Sequence, residues 1–273
     1  MGPPPSYSEA AAGYNERVER LTSLWAEAVV EIDWTDGEGT ARSEQGTGVL
    51  QVARPRRLAL SVGKMGEKGL WIGCDERRWW WFELYKKKIA HVGSERAAQS
   101  SGTRAGLAVH PLDLLPLLGV LPMPVEPERE LGSTQWSSDG TLLGVSTRGR
   151  AGGATRVWLD PESWEPRKVE LFDARDEVEV VADLRDYDFV SLRGDGSIAP
   201  RAPGLIWALH VPTGASVRLY LSAHEDGARR ISPEAFDFEA LSRRFAVERV
   251  IQEDERRDGS GAPDGPTRQL PPR

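Results

Sequence analysis

The sequence predicts a mainly β protein in which a curved antiparallel sheet wraps around helices. Roughly twelve short segments alternate apolar and polar residues with a period of two, and Gly, Asp and Pro separate them. One of these segments, 79–85, is apolar on both of its faces. Because successive strands joined by tight turns pair antiparallel, we expect a single sheet whose edges are closed or covered.

An amphipathic helix is predicted over 8–25, before the first strand. Ser6 and Glu9 have the spacing of a capping box at its start. Its apolar stripe consists of Tyr14, Val18, Leu21 and Trp25. Arg17 lies mostly outside this stripe and is expected to face solvent. The stripe is expected to pack against the sheet.

The strands follow from the period-two alternation and from the turn residues that interrupt it. The predicted strands cover 27–34, 44–54, 57–62, 69–74, 78–85, 87–93, 133–137, 141–147, 154–160, 166–173, 177–188, 204–211 and 215–222. No internal repeat is evident, which argues against a propeller.

The aromatic strand constrains the shape of the sheet. Trp80 and Phe82 lie on one of its faces, while Trp79 and Trp81 lie on the other. A fully buried Trp stabilises a fold by several kcal/mol, about 25 cal/mol for each Å² of apolar surface. We therefore expect both faces to be covered or to line an apolar cavity. The N-terminal helix and the leucine-rich segment 112–118 are the expected fillers.

A short leucine-rich helix is predicted just after His110. Pro111 suits the first turn of a helix, and Asp113 favours its positive end. Pro116 lacks a backbone donor, so the helix is limited to one or two turns or is bent.

Composition and charge exclude several classes of function. The chain is 39% hydrophobic and 28% charged, which is typical of a soluble globular protein. Its net charge of −7 argues against nucleic acid and anionic membrane surfaces as partners. No apolar run reaches the length of a membrane-spanning helix.

No catalytic, metal or cofactor site is predicted. The single cysteine, Cys74, excludes an intrachain disulfide and a cysteine-cluster zinc site. Asp75 and Glu76 are expected to raise the pKa of its thiol, which makes it a poor nucleophile. The four histidines lack metal-ligand spacing. Carboxylates are plentiful, so a glycosidase pair facing one groove stays open as an alternative.

The two ends are predicted to lie outside a single domain over 14–253. Residues 1–13 are expected to form a flexible tether, and 254–273 a disordered tail. No basic and apolar leader is present, so the protein is either cytoplasmic or has its signal segment left off. The Gly2-Pro3-Pro4-Pro5 start also suits a mature lipoprotein whose lipid-bearing cysteine is replaced by Met1.

Over about 14–245 the pattern resembles the LolA/LolB-like superfamily of periplasmic lipoprotein carriers. The strand that ends in Arg54-Pro55, the aromatic segments 69–75 and 80–82, and the closing Phe-x-Phe at 236–238 resemble the motifs of that superfamily. The extra tryptophans and the absence of a following Pro-Pro-x-Gly depart from its pattern. Segment 112–118 falls where the superfamily has a lid helix.

The resemblance implies a half-barrel of about eleven or twelve strands that encloses an N-terminal helix and a short lid helix. It implies non-enzymatic binding of lipid acyl chains or lipoproteins in an apolar cavity, for lipoprotein transport or sorting in the periplasm or at the outer membrane. Arg54 matches an arginine that latches the lid through backbone carbonyls. The candidate lining consists of Trp34, Leu50, Leu58, Leu60, Trp71, Trp79, Trp81, Leu114, Leu115, Leu118, Trp158 and Trp207.

An alternative on the same fold is an envelope sensor that binds a protein partner instead of an acyl chain. The two hypotheses differ in their ligand, since the sensor predicts a membrane regulator as its partner. We expect a monomer that binds no nucleic acid, with membrane anchoring through an N-terminal lipid as an alternative.

Overall fold

One large sheet dominates the fold of the computed structural model. The structure describes residues 2–85, 87–94, 109–125, 132–149, 152–192 and 200–253. Fourteen strands form a single curved sheet that is not closed into a barrel, in the order β16-β6-β5-β4-β3-β2-β1-β15-β14-β11-β10-β9-β8-β7. The predicted mainly β half-barrel is confirmed.

The described part of the chain contains sixteen strands and three α-helices. Strands β1–β16 are Ser23–Thr35, Ala41–Ala53, Arg57–Lys64, Glu67–Cys74, Arg78–Glu83, Ile89–Ser94, Ser133–Trp136, Leu143–Arg148, Ala154–Leu159, Pro166–Phe172, Val178–Arg185, Asp188–Phe189, Arg201–Ala202, Leu205–His210, Ala215–Glu225 and Arg249–Gln252. Helices α1–α3 are Tyr7–Glu19, Pro111–Leu117 and Phe238–Phe245. None of these helices is long and apolar enough to cross a membrane.

The predicted count of eleven or twelve strands is too low. Strands β12 and β13, which form a separate two-stranded sheet, have two residues each, and β16 has four. Segments of two residues carry no alternation, and the four residues of β16 were not predicted as a strand. Strand β16 also pairs parallel with β6, whereas the sequence predicted antiparallel pairing throughout. It covers the edge that β6 would otherwise expose.

Helix α1 begins as predicted but ends earlier. The capping box is present, since the backbone N–H of Ser6 donates to Glu9 at 2.8 Å and that of Glu9 donates back to the Ser6 hydroxyl at 3.3 Å. The helix ends at Glu19, so Leu21 and Trp25 are not part of it. Pairing of β1 with β2 from Ser23 onward overrides the helical pattern.

The N-terminal segment also differs from the predicted tether over 1–13. Residues 7–13 belong to α1, where Tyr7, Ala10 and Ala11 are buried in the core. Burial of this apolar side stabilises the first turns of the helix. The predicted tail over 254–273 lies outside the described residues.

The sheet carries a hydrophobic core on each face. The inner face, which we define as the face toward α1 and α2, packs Trp79 and Trp81 with the side chains of both helices. The outer face packs Trp80 and Phe82 against Phe238 of α3. The prediction that both faces of the aromatic strand are covered is confirmed. The outer cover, α3, was not predicted as a helix.

Candidate ligand-binding site

Residues 109–125, which we call the lid segment, pack on the inner face beside α1. The lid segment contains α2, whose first turn is capped by His110, because the backbone N–H of Leu112 donates to His110 Nδ1 at 3.2 Å. Gly119 follows the helix with a φ of +63°, a conformation that favours glycine. Pro116 lies inside the helix and limits it to two turns, as predicted.

The leucines of α2 fill the space between the lid segment and the sheet. A cavity of about 10 Å³ is left where α2 faces β14 and β15, which is room for about one water molecule. We call this contact the apolar seam. Its lining is entirely apolar and comprises Val109, Leu114, Leu117 and Leu118 of the lid segment and Ile206, Ala208, Val217 and Leu219 of the two strands. The expected open cavity is therefore not present at the seam in this conformation.

Two side chains of α1 hold the end of the lid segment. The side-chain amide of Asn15 donates to the Met123 carbonyl at 2.8 Å and accepts from the Met123 N–H at 2.8 Å. Both residues are buried. The Tyr7 hydroxyl donates to the Pro124 carbonyl at 2.8 Å. All of these bonds use backbone atoms of the lid segment, so they do not depend on its side chains.

The predicted latch, Arg54, binds a different element. Its guanidinium donates from Nη2 to the carbonyl of Val18, in the last turn of α1, and not to the lid segment. The match to a latch arginine is therefore corrected. Burial lowers the pKa of Arg54, and the charge of Glu19 opposes that shift. The Val18 carbonyl also accepts from the backbone N–H of Leu21 at 2.9 Å, just after the end of α1.

Arg17 makes the contact that was assigned to Arg54. Its Nη2 donates to the Gly119 carbonyl at 2.5 Å, and its Nη1 donates to the Arg201 carbonyl at 3.0 Å. The sequence placed Arg17 on the solvent side of α1, but the side chain is half-buried at the edge of the core. The sequence does contain a signal for this contact, because Arg17 lies one helical turn after Tyr14 in the apolar stripe. In the structure its guanidinium stands 5.2 Å from the centre of the Tyr14 ring.

Eight of the twelve predicted lining residues lie in the inner core, where the fold brings them together. They are Leu50, Leu58, Leu60, Trp79, Trp81, Leu114, Leu115 and Leu118. Of these, Leu114 and Leu118 line the apolar seam. Trp79 also packs edge-on against His110 at 4.7 Å, which joins the aromatic strand to the start of the lid helix.

The other four predicted lining residues do not join that group. Trp71 lies in the outer core. Trp158 faces outward and its indole N–H donates to Glu170 at 2.8 Å, while Trp207 is 37% exposed on the same outer side. Trp34 is half-buried near the end of β1, outside the inner core. Alternation specifies which residues share a face, but not which face is inside.

The described residues contain neither an activated cysteine nor a cluster of metal-binding side chains. Burial, with a smaller contribution from Asp75, raises the pKa of the Cys74 thiol to about 12. The expected direction of the pKa shift is thus right, but its main cause is burial and not a neighbouring carboxylate. No group of three or more His, Cys, Asp or Glu side chains in the described ranges could hold a metal ion.

Comparison with known proteins agrees with this geometry at the level of the fold. No protein-family model matches the chain, and no curated protein matches it. Among solved structures, it is similar to an outer membrane lipoprotein-sorting protein domain from Vibrio parahaemolyticus, with 15% identity, a TM-score of 0.57, and coverage of 86% of this chain and 97% of that one.

Two further solved structures have the same fold. A LolA superfamily protein from Nitrosomonas europaea is 13% identical, with a TM-score of 0.53 over 86% of this chain and 99% of that one. A DUF1329 family protein from Desulfovibrio piger is 12% identical, with a TM-score of 0.56 over 86% and 97% of the two chains. The chain therefore has a LolA-like fold, which confirms the resemblance that its motifs predicted.

Proposed function

We propose that this protein is a non-enzymatic carrier in the bacterial cell envelope that binds the acyl chains of a lipid or lipoprotein beneath its lid segment. The observation that supports this most is the apolar seam, where a two-turn helix of leucines lies on β14 and β15 with a small apolar gap between them. The similarity to a lipoprotein-sorting domain supports the same function.

Acyl chains bind here by taking the place of α2. The gap of about 10 Å³ is far too small for a chain, so the leucines of the lid helix have to leave the sheet. Each methylene that is buried in their place contributes about 0.8 kcal/mol. About ten methylenes therefore supply roughly 8 kcal/mol, which offsets the loss of the leucine contacts.

Polar contacts from α1 to the C-terminal end of the lid segment oppose this exchange. They are the bonds from Tyr7, Asn15 and Arg17 of α1 to backbone carbonyls and one N–H of residues 119–124. Each such bond contributes about 1 kcal/mol net. Four such bonds add about 4 kcal/mol to the cost of displacing the lid segment, so an acyl chain longer than about ten methylenes is needed to displace it.

Titration of the delipidated full chain with a fluorescent fatty acid tests the proposal. We expect saturable binding, and displacement by unlabelled fatty acids whose affinity rises about fourfold per added methylene. Short acids of the same charge serve as the matched control and should not compete. Failure to bind the probe saturably, or an affinity independent of chain length, would refute an acyl carrier. Recovery of one membrane regulator from envelope extract in that case would favour the sensor.

A further inference from the structure

Three arginines from three different elements gather around one buried tyrosine beside the end of α2. The guanidiniums of Arg17, Arg167 and Arg201 stand 5.9, 5.5 and 6.0 Å from the centre of the Tyr187 ring. Their elements are α1, β10 and β13. We call this group the arginine cluster. Like charges repel, so such a cluster requires negative partners.

The carboxylates near the cluster form ion pairs with only two of its three arginines. Glu165, whose side chain is 4% exposed, pairs with Arg201 at 2.6 Å and with Arg167 at 3.2 Å. Asp160 pairs with Arg167 at 3.1 Å. Within the described ranges, no carboxylate pairs with Arg17, which instead donates to the carbonyls of Gly119 and Arg201.

The cluster also contains guanidinium groups that are not fully satisfied. The Nε atoms of Arg17 and Arg201 are buried and have no hydrogen-bond acceptor. The Arg167 and Arg201 side chains are nevertheless 38% and 40% exposed, so a ligand can reach their outer parts. A half-buried guanidinium without a carboxylate favours an anionic oxygen, which it can bind in a bidentate manner.

The position of Arg17 connects the cluster to the apolar seam. Leu118 lines the seam, and the next residue, Gly119, supplies the carbonyl that Arg17 binds. When the lid segment leaves the sheet, this carbonyl leaves with it. Arg17 then loses an acceptor one residue away from the lining of the seam.

We propose that the arginine cluster is an anion site for the head group of the ligand, so that the carrier binds anionic amphiphiles, with a carboxylate or phosphate at the end of an acyl chain. This proposal rests on the proposed function, because the anion replaces the Gly119 carbonyl only when a chain has displaced the lid segment. Arg17 supplies the unpaired charge, and Arg201 and Arg167 stand beside it.

The test compares a long-chain fatty acid, its methyl ester and the alkyl phosphate of the same chain length on the full chain. We expect the acid and the phosphate to bind about tenfold more tightly than the ester. In Arg17→Gln the ratio of acid to ester affinity should fall about tenfold. The ratio is the proper readout, because loss of the bond to Gly119 loosens the lid equally for both ligands.

Two controls keep the proposal falsifiable. Arg17→Lys retains the charge and should keep most of the ratio of acid to ester affinity. It keeps the test usable if Arg17→Gln folds poorly. Arg42→Gln removes an exposed arginine that pairs with Asp36 at 2.8 Å on the turn between β1 and β2, and it should leave the ratio unchanged.

The remaining outcomes separate this proposal from the proposed function. Equal affinities for acid and ester, or a ratio that Arg17→Gln does not change, overturn the anion site while leaving the carrier intact. Absence of binding to all three ligands overturns the carrier itself. Inorganic phosphate should compete weakly; if it binds as tightly as the alkyl phosphate, the cluster is a site for free anions and the head-group proposal is wrong.

Discussion

At the scale of single residues, the lid segment is held through its backbone. Asn15 satisfies both the N–H and the carbonyl of Met123, and Arg17 binds the carbonyl of Gly119. Every residue type offers the same backbone carbonyl, so a hydrogen bond to that carbonyl cannot be recognised from the sequence. The sequence therefore indicated the start of α1 and the lid helix, but could not predict which side chains join the two helices.

Asn15→Ala removes two buried hydrogen bonds at once. The Met123 N–H and carbonyl would be left without partners in the core, which costs about 1–3 kcal/mol for such groups. We expect the free energy of unfolding in urea to fall by about that amount. Glu16→Ala, an exposed neighbour on the same helix, serves as the control and should change stability by under about 0.5 kcal/mol. Equal stability of the two variants would contradict the role of Asn15.

His224 makes stability depend on pH. It is buried and bonded through Nε2 to the Pro203 carbonyl at 3.2 Å, and burial lowers its pKa below the usual 6.5. The unfolded chain then takes up the proton more readily than the folded protein, so stability is complete above pH 6.5 and falls as pH drops below it through the folded pKa. The pKa of His210 is lowered in the same direction, again mainly by burial.

Urea unfolding at about pH 7.5 and about pH 5.5 checks this expectation. The wild-type protein should lose stability across the interval, and His224→Gln should lose less. The remaining loss in that variant is expected from His210. Parallel behaviour of the two proteins over the interval would show that His224 does not contribute.

At the scale of elements, the sequence predicted most strands to within a few residues, because period-two alternation is strong where one face is buried. The capping box likewise predicted the start of α1. The sequence did not predict α3, because Phe238, the first residue of that helix, was interpreted as part of the closing Phe-x-Phe and not as the start of a helical pattern. It also could not predict the end of α1, which is decided by pairing between β1 and β2.

Helix α3 is expected to be essential for the outer core. Leu241 is fully buried there, next to the cluster of Trp71, Trp80 and Phe82. Leu241→Ala should lower the free energy of unfolding by about 2–5 kcal/mol through lost burial and the cavity left behind. Arg243→Ala, at an exposed position of the same helix, should have little effect. A small effect of Leu241→Ala would mean that the outer core does not depend on α3.

The end of α2 depends on glycine. A Cβ at Gly119 would lie 2.8 Å from Pro166 Cγ and 3.2 Å from Leu184 Cδ2, and its φ of +63° is strained for other residues. Gly119→Ala therefore weakens the closed lid. We expect lower stability but tighter acyl binding, about tenfold for each 1.4 kcal/mol by which the closed state is weakened.

A glycine with the same backbone strain but no neighbours provides the control. Gly39 has a φ of +80° in the turn between β1 and β2, and a Cβ there meets open space. Gly39→Ala should lower stability without changing acyl affinity. If Gly119→Ala binds the acyl probe no more tightly than Gly39→Ala does, the closed lid does not oppose binding.

At the scale of the whole molecule, the leucines of the lid segment fill the interior of the half-barrel beside β14 and β15. The fold was predictable from alternation, the aromatic strand and the family resemblance, but the state of the interior was not. The same stripe of leucines in the sequence is compatible with a filled core and with a cover over a cavity. Acyl binding consequently requires movement of the lid segment, because the empty protein has no open pocket at the apolar seam.

Hydrogen exchange at the Met123 amide, with and without a saturating long-chain fatty acid, tests that movement most directly. In the closed form this N–H is buried and bonded to Asn15 at 2.8 Å. Ligands that bind a rigid pocket slow exchange around them, whereas displacement of the lid segment breaks this bond. If the lid segment moves as proposed, the fatty acid speeds exchange at Met123 at least about tenfold while amides of β14 and β15 stay protected. Exchange at Met123 that is unchanged or slower in the saturated protein would contradict this movement.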